Sequence, residues 1–191
     1  AIFARLHSIT FAGPGAAPDH AADAPPLADA ALVLAGALAS EGTAWRELAL
    51  RWGVAIGEGD ACTVVRQAQL ACYGSAQGGL PLLRQLARPA ILELRGTNGQ
   101  RLRVLLVGLS AQHALLQVGA QQWRLPLAGL AGIWRGEWAS LWRTPPGWKD
   151  DKDPLAQAAT RTWLAQQLGL APSEGAAALR QRLSEYQLLQ D

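Results

Sequence analysis

Two cysteines and three histidines are the first candidates in this sequence for the nucleophile and the base of a thiol-dependent reaction. Cys62 falls in the first turn of a predicted helix, where the helix dipole lowers the pKa of a thiol and favours the nucleophilic thiolate. A thiol peptidase also needs a general base. His113 opens a predicted strand, whereas His7 and His20 lie in a stretch with little predicted structure. A peptidase that uses Cys62 with His113 is one hypothesis, although no Asn or Asp near His113 in sequence would orient its ring.

The two cysteines also have a structural interpretation. Cys62 and Cys72 are ten residues apart, and in one continuous helix they would lie roughly 15 Å from each other, too far for a disulfide. A bridge requires the chain to reverse before Cys72, which the Tyr73-Gly74 region only partly favours. A disulfide and a pair of buried thiols both stay open on this reasoning.

Metal, phosphate and nucleic-acid chemistry are not indicated. The sequence has no Cys-x-x-Cys and no His-x-x-x-His pair, and Asp150, Asp151 and Asp153 are typical of a solvated connector rather than a calcium site. No glycine-rich phosphate loop follows a predicted strand. The net charge is +2 without a basic run, so we expect no nucleic-acid partner, no metal and no cofactor.

Tryptophan is unusually frequent, with eight residues against two Phe and two Tyr. Trp134, Trp138 and Trp142 recur every four residues on a predicted strand, which places their side chains on one face. Stacked indoles on an accessible face could bind sugar rings or a partner surface. The alternative is that the three rings pack in the core beneath the sheet.

The element that organises the rest is a predicted β-hairpin. Apolar runs at residues 90–94 and 102–109 flank Thr97-Asn98-Gly99. Asn-Gly between two strand-like runs indicates a hairpin because both residues tolerate the positive φ of a tight turn. The last predicted strand contains Gly136, which indicates a kink. Three strands are predicted after the hairpin, at residues 113–118, 122–125 and 133–143.

The residues before the hairpin predict helices. Thr43 is the expected N-cap of the second helix and Asp60 of the third. The pattern predicts an α+β fold in which a central antiparallel sheet carries helices on one side. The expected helices span residues 27–39, 43–52, 61–70 and 80–87.

Composition divides the chain into four parts. Residues 1–26, rich in Pro and Ala, predict a linker, and residues 27–148 the α+β domain. A charged connector is expected at 149–153 and a C-terminal helical hairpin at 154–191. The most apolar stretch, 27–39, is shorter than the roughly 20 residues of a membrane-spanning helix.

Several of these segments resemble one known family, the periplasmic region of general secretion pathway protein A. The resemblance covers residues 43–191. It implies a papain-like fold of the kind found in bacteriocin-processing cysteine peptidases, followed by a peptidoglycan-binding helical unit. The matching residues are Trp52-Gly53, Cys62, Ala68, Leu70-x-Cys72, Leu83, Arg88-Pro89-Ala90-Ile91-Leu92-x-Leu94 and Trp134-x-Gly136-x-Trp138-x-x-Leu141-Trp142-Arg143-x-Pro145.

The C-terminal hairpin resembles the start of that peptidoglycan-binding unit. Tyr186-Gln187 stand where the family usually has Phe-Gln, and the closing Asp-Gly turn and last helix have no counterpart here. The resemblance implies a partial module in which Trp163, Tyr186 and Gln187 contribute to binding. The matching residues are Trp163-Leu164, Leu168, Leu179, Leu183 and Tyr186-Gln187.

The peptidase-like part departs from its active relatives. Those relatives carry a nucleophilic Cys at a helix start, a His that opens the strand after the hairpin turn, and an Asp on the following strand. Here residues 101–105 contain no His and residues 115–119 contain no Asp. The resemblance therefore implies a peptidase fold that has lost catalysis and is reused for binding.

The function implied by the resemblance is a non-catalytic scaffold of type II secretion. Expected partners are peptidoglycan, general secretion pathway protein B and the outer-membrane secretin, whose assembly through the cell wall would be assisted; a homo-oligomer stays open. The resemblance places this region in the periplasm, in a parent protein with an inner-membrane helix and a cytoplasmic ATPase outside these residues. The alternatives are the Cys62 peptidase and a protein-interaction module without cell-wall binding.

Overall fold

A six-stranded sheet forms the centre of the computed structural model, which describes residues 25–148 and 153–190, without the side chains of residue 154 and residues 186–190. The strand order is β1-β6-β2-β3-β4-β5, and the pairings of β6 with β2 and from β2 through β5 are antiparallel. The strands are β1 (Leu70–Ser75), β2 (Ala90–Arg95), β3 (Arg101–Leu109), β4 (His113–Val118), β5 (Gln121–Pro126) and β6 (Trp134–Arg143). The predicted antiparallel sheet is therefore confirmed.

The predicted hairpin is confirmed as the pairing of β2 with β3. The two strands run in unbroken register from Ala90 opposite Leu106 to Arg95 opposite Arg101. Gly99 adopts a φ of 79° in the connecting turn, which is the left-handed conformation that the Asn-Gly pair was expected to supply.

Five helices accompany the sheet in the part of the chain from residue 25 to residue 148. Three of them have a side-chain N-cap: Asp29 accepts from Leu32 N at 2.8 Å, Ser40 from Thr43 N at 3.3 Å, and Asp60 from Cys62 N at 3.1 Å. The predicted cap at Asp60 is confirmed. The helices are α1 (Ala30–Gly36), α2 (Glu41–Arg51), α3 (Ala61–Arg66), α4 (Leu80–Leu86) and α5 (Leu127–Ile133).

The predicted cap at Thr43 is wrong, and the first helix is shorter than expected. Helix α2 begins at Glu41 because the Ser40 hydroxyl satisfies the Thr43 amide, and Gly42 is tolerated in the first turn. Leu27 and Leu38 lie outside α1 because their backbones form bridges to Arg124 and Arg103. Backbone pairing with the sheet therefore replaces helical hydrogen bonds at both ends of the segment.

The expectation of helices on one side of the sheet is wrong, because apolar helices cover both faces. Consecutive apolar residues in β2 and β3, rather than strict alternation, are typical of strands buried on two sides. One face packs with α1, α4 and α5, through Val33, Leu83, Leu92, Leu94, Val104, Leu106, Leu116, Leu125, Leu130 and Ile133. The other packs with α2 and α3, through Ala44, Leu48, Ala49, Trp52, Val65, Leu70, Ile91, Leu105, Val107 and Leu141.

Residues 70–75, predicted as a helix end followed by a turn, form the edge strand β1. The chain leaves α3 after Arg66 and changes direction at Gln69, which has a φ of 55°. This reversal brings Cys72 back to Cys62, and the two are joined by a disulfide with a Cα–Cα distance of 5.5 Å. Of the two alternatives for these cysteines, a disulfide or a pair of buried thiols, the structure contains the disulfide.

The C-terminal residues form a separate small unit, which follows Trp142 in sequence. A turn of 3₁₀-helix (Pro154–Ala156) leads into α6 (Ala158–Gln167) and α7 (Ala176–Gln190), so the expected helical hairpin is present. Asp153 accepts from Leu155 N at 3.0 Å and pairs with Arg180 at 2.8 Å. The core consists of Leu155, Leu164, Ala165, Leu179 and Leu183.

Most of the predicted linker, and all of the predicted connector except Asp153, lie outside the described residues. Pro25 and Pro26 are described, and both pair with β5: Pro26 O accepts from Arg124 N at 3.0 Å and Pro25 O accepts from Arg124 Nε at 2.8 Å. Within the described ranges, no helix is both long and apolar enough to cross a membrane.

We expect Gly136→Ala to destabilise the protein by about 2–3 kcal/mol, because the substitution combines backbone strain with overpacking. Gly136 has a φ of +103°, and a Cβ there would lie 2.6 Å from the carbonyl oxygen of Gly78. Urea denaturation measures the loss. Gly132→Ala is the matched control, because nothing lies within 4 Å of its Cβ; equal effects of the two substitutions would contradict the expectation.

We expect Cys62→Ser with Cys72→Ser to lower the free energy of unfolding by about 2–3 kcal/mol, because the open chain regains the loop entropy that the bridge removes. Urea denaturation with and without dithiothreitol is the measurement. The reductant should destabilise the natural chain by the same amount and leave the double variant unchanged. A natural chain that is insensitive to the reductant would contradict a bridging role.

Candidate functional site

The structure does not bring together the two groups that the peptidase hypothesis needs. Cys62 has no free thiol, because its sulfur is bonded to Cys72. Cys72 lies on β1 at one edge of the sheet, and His113 lies on β4, four strand positions away. At about 4.8 Å per strand the separation is on the order of 19 Å. The backbone amide of His113 donates to Ser110 Oγ at 2.9 Å, so its local contacts belong to the β3–β4 turn.

The three regularly spaced tryptophans are buried. Trp134, Trp138 and Trp142 are 8%, 4% and 8% exposed. Trp134 Nε1 donates to the carbonyl of Glu137 at 2.8 Å, and the Trp138 ring packs against Tyr73 with centroids 5.5 Å apart. This is the core-packing alternative, and binding of sugar rings or a partner at these indoles stays a prediction that would require them to become accessible.

The other predicted binding residues lie on the C-terminal hairpin. Trp163 is half-buried on α6 and packs against the small core of that unit. The backbones of Tyr186 and Gln187 lie in α7, and their side chains are outside the described part of the chain. Their contribution to binding stays a prediction.

A cleft of about 270 Å³ lies beside the start of α2, on the sheet face that α2 and α3 cover. Its floor is formed by β2, β3 and β6, and one wall by the end of the edge strand β1. Five charged side chains line it, whereas the lining contains no His and no Cys. The charged residues are Glu41, Glu93, Arg101, Arg103 and Glu137.

Glu93 is the centre of a network of ion pairs on the floor of the cleft. Its Oε2 accepts from Arg103 Nη2 at 3.3 Å, and its Oε1 lies 3.2 Å from Arg101 Nη1. Arg95, two positions along β2, lies 3.8 Å from Glu93 and donates to Glu137 on β6. The β2–β3 register causes this arrangement, because it places Glu93 opposite Arg103 and Arg95 opposite Arg101.

Arg103 connects this network to the start of α2. Its side chain is 14% exposed, and its guanidinium donates to the Ala39 carbonyl at 3.1 Å and to Glu41 at 3.3 Å. The helix start that faces the strand after the hairpin turn is therefore that of α2, not that of α3. The groups at the start of α2 are the Ser40 cap and the Arg103 guanidinium. The Cys62 hypothesis instead requires a thiol at the start of α3.

One acid of the cleft, Glu137, has its pKa shifted in the direction that favours the ionised form. Partial burial acts to raise the pKa of Glu137, but hydrogen bonds from its own backbone amide and from Arg95, with the charges of Arg95 and Arg101, outweigh burial and lower the pKa. Glu137 Oε2 and Glu93 Oε1 are buried and accept no hydrogen bond from the described residues. A buried acceptor without a hydrogen bond costs about 1–3 kcal/mol, and the ion pair with Arg101 at 3.2 Å offsets part of this cost for Glu93.

Sequence reasoning missed this charged cleft, although a signal was present. Glu93 and Arg95 on one strand, and Arg101 and Arg103 on the next, sit at alternate positions on either side of the Asn-Gly turn. A tight hairpin places such residues opposite one another on one face. What the cleft can do chemically is bind charged and polar groups. Among the described residues, no group of three or more His, Cys, Asp or Glu side chains could hold a metal ion.

Comparison with known proteins gives a family and a fold. Residues 33–144 match the family model described as GspA, peptidase C39-like domain, and no curated protein matches significantly. The crystal structure of a periplasmic domain of the EpsAB fusion protein of the Vibrio vulnificus type II secretion system is similar, with a TM-score of 0.54 at 24% sequence identity. The match covers 81% of this chain and 72% of that chain.

The structural likeness establishes a shared fold and agrees with the predicted α+β architecture. The family match covers more than half of the chain, from within α1 to the end of β6, and includes the whole charged cleft. The chain therefore belongs to the family of GspA peptidase C39-like domains.

Proposed function

We propose that this chain is a non-catalytic periplasmic region of a type II secretion protein, which binds peptidoglycan and acts as a scaffold for secretin assembly through the cell wall. General secretion pathway protein B is the proposed membrane partner, and the outer-membrane secretin the assembly that benefits. The parent protein would be anchored in the inner membrane. Self-association is compatible with this role.

The observation that carries the non-catalytic part is the position of Arg103. A general base for a thiol must be within hydrogen-bond reach of the nucleophile and must be able to release a proton near neutral pH. A guanidinium is always charged and has no acceptor atom. At the start of α2, Arg103 is fixed by the Ala39 carbonyl, Glu41 and Glu93, and such a residue supports binding rather than proton transfer.

The family and its structural relative support the place of action. The matched structure is described as a periplasmic domain of a type II secretion fusion protein, and the family model takes its name from GspA. The disulfide of Cys62 and Cys72 is of a kind that persists in oxidising compartments such as the bacterial periplasm. These observations together favour a periplasmic role in type II secretion.

The C-terminal hairpin is the proposed wall-binding element. It forms a compact unit with its own core, and Trp163 is half-buried on it. The resemblance to the start of a peptidoglycan-binding unit supports Trp163, Tyr186 and Gln187 as its contact residues.

Co-sedimentation with purified peptidoglycan sacculi tests the proposal. We expect the full chain to pellet with sacculi, and a version that ends at Gly147 to pellet to a clearly smaller extent, because it lacks the helical hairpin. Trp163→Ala in the full chain should reduce the pelleted fraction. Circular dichroism on each variant ensures that a loss of pelleting is not a loss of folding.

Two results would contradict parts of the proposal. If the full chain and the shortened version pellet to the same extent, wall binding belongs to the peptidase-like domain and not to the hairpin. If neither pellets and the full chain still binds general secretion pathway protein B, the chain is a protein-interaction module without wall binding. Hydrolysis of a peptide substrate that is lost on Cys62→Ala would contradict the non-catalytic role.

A further inference from the structure

The charged cleft contains two carboxylate oxygens that accept no hydrogen bond within the described part of the chain, although both carboxylates form ion pairs with arginines. Glu93 Oε1 and Glu137 Oε2 accept no hydrogen bond from the described residues. Arg101, at the mouth, is paired only loosely: its side chain is 64% exposed and lies 3.2 Å from Glu93 Oε1. A ligand that brings a donor to the floor and an acceptor to Arg101 would satisfy all three groups.

The size and walls of the cleft limit the ligand to one residue-sized group of an extended chain. A volume of 270 Å³ is just below the roughly 300–1,000 Å³ of typical small-molecule sites. One wall consists of Gly74, Ser75 and Ala76 at the end of β1, whose small side chains leave the backbone approachable. Because β1 is an edge of the sheet, an extended peptide can run alongside it.

The lining of the cleft carries both signs of charge, which disfavours ligands of a single sign. A purely anionic group would meet carboxylates, and a purely cationic group would meet guanidinium groups of the same network. A neutral glycan would bring no charge to replace an ion pair that these residues already make with one another. The acids that line the cleft are Glu41, Glu93 and Glu137, and the bases are Arg101 and Arg103. Arg95 pairs with Glu93 and Glu137 but is not part of the lining.

We propose that the cleft binds a residue with an ammonium and a carboxylate on the same carbon, presented by an extended peptide. In peptidoglycan this group is the free end of diaminopimelate in the stem peptide, so the proposal rests on the proposed wall-binding function. Glu93 and Glu137 accept from the ammonium, and Arg101 swings outward to bind the carboxylate through a bidentate pair. The peptidase-like domain thus recognises the peptide part of the wall.

The test is an NMR titration of the full chain with the tripeptide L-Ala-γ-D-Glu-meso-diaminopimelate. The control ligand has L-Lys in place of diaminopimelate, which keeps the ammonium and lacks the carboxylate. We expect shifts confined to the amides that line the cleft, on β1, β2, β3, β6 and the start of α2. The Lys peptide should bind about tenfold more weakly, since it loses a charge-assisted bidentate contact.

Arg101→Ala is the decisive variant, because the exposed side chain can be removed without disturbing the core. The substitution should weaken binding of the diaminopimelate peptide about tenfold and leave the affinity for the Lys peptide unchanged. The two ligands then bind with equal affinity. Arg135→Ala is the matched control, because Arg135 is also exposed and its guanidinium donates to Ala131 O outside the cleft. It should leave both affinities unchanged.

The outcomes separate this proposal from wall binding as such. One outcome is that the chain pellets with sacculi but the tripeptide causes no shifts. This outcome would overturn the cleft proposal and leave the wall-binding function intact. Equal affinity for the two peptides in the natural chain would overturn the role of Arg101. Shifts confined to the C-terminal hairpin would assign stem-peptide recognition to that unit and overturn the cleft proposal as well.

Discussion

Burial of the β2–β3 hairpin on both faces is the constraint on which the rest of the domain depends. Its apolar runs leave Leu92, Val104 and Leu106 pointing to one side and Ile91 and Leu105 to the other, and each side needs its own cover. Helices α1, α4 and α5 supply one cover, and α2 with α3 supplies the second. Because α2 begins at Glu41, the turn end of the hairpin stays outside the second cover, and the charged cleft lies there.

The same hairpin explains why the cleft is charged. Paired strands place Glu93 opposite Arg103 and Arg95 opposite Arg101, and the residues that are not covered by α2 neutralise one another. Partly buried ion pairs of this kind add little to the net stability of the fold, because the cost of desolvation offsets much of their attraction. They fix the side chains of Glu93 and Arg103 in place, and fixed charged side chains suit recognition of a ligand.

Sequence reasoning reached the hairpin, the later strands and the helical C-terminus, because Asn-Gly turns and periodic apolar residues act locally. It failed where distant contacts decide the structure. Residues 70–75 have little local strand signal and become β1 through pairing with β6 and the Cys62–Cys72 bridge. Tertiary packing also decides which helix begins beside β3. That helix is α2, whereas the sequence interpretation placed a reactive thiol at the start of α3.

The central claim is that this fold binds peptidoglycan without cutting it, and the peptide composition of sacculi recovered after incubation with the chain tests it most directly. Mass spectrometry of the released muropeptides should give the same profile as sacculi incubated without protein, although the chain is found in the pellet. New, shorter stem peptides that depend on the added chain would contradict the claim.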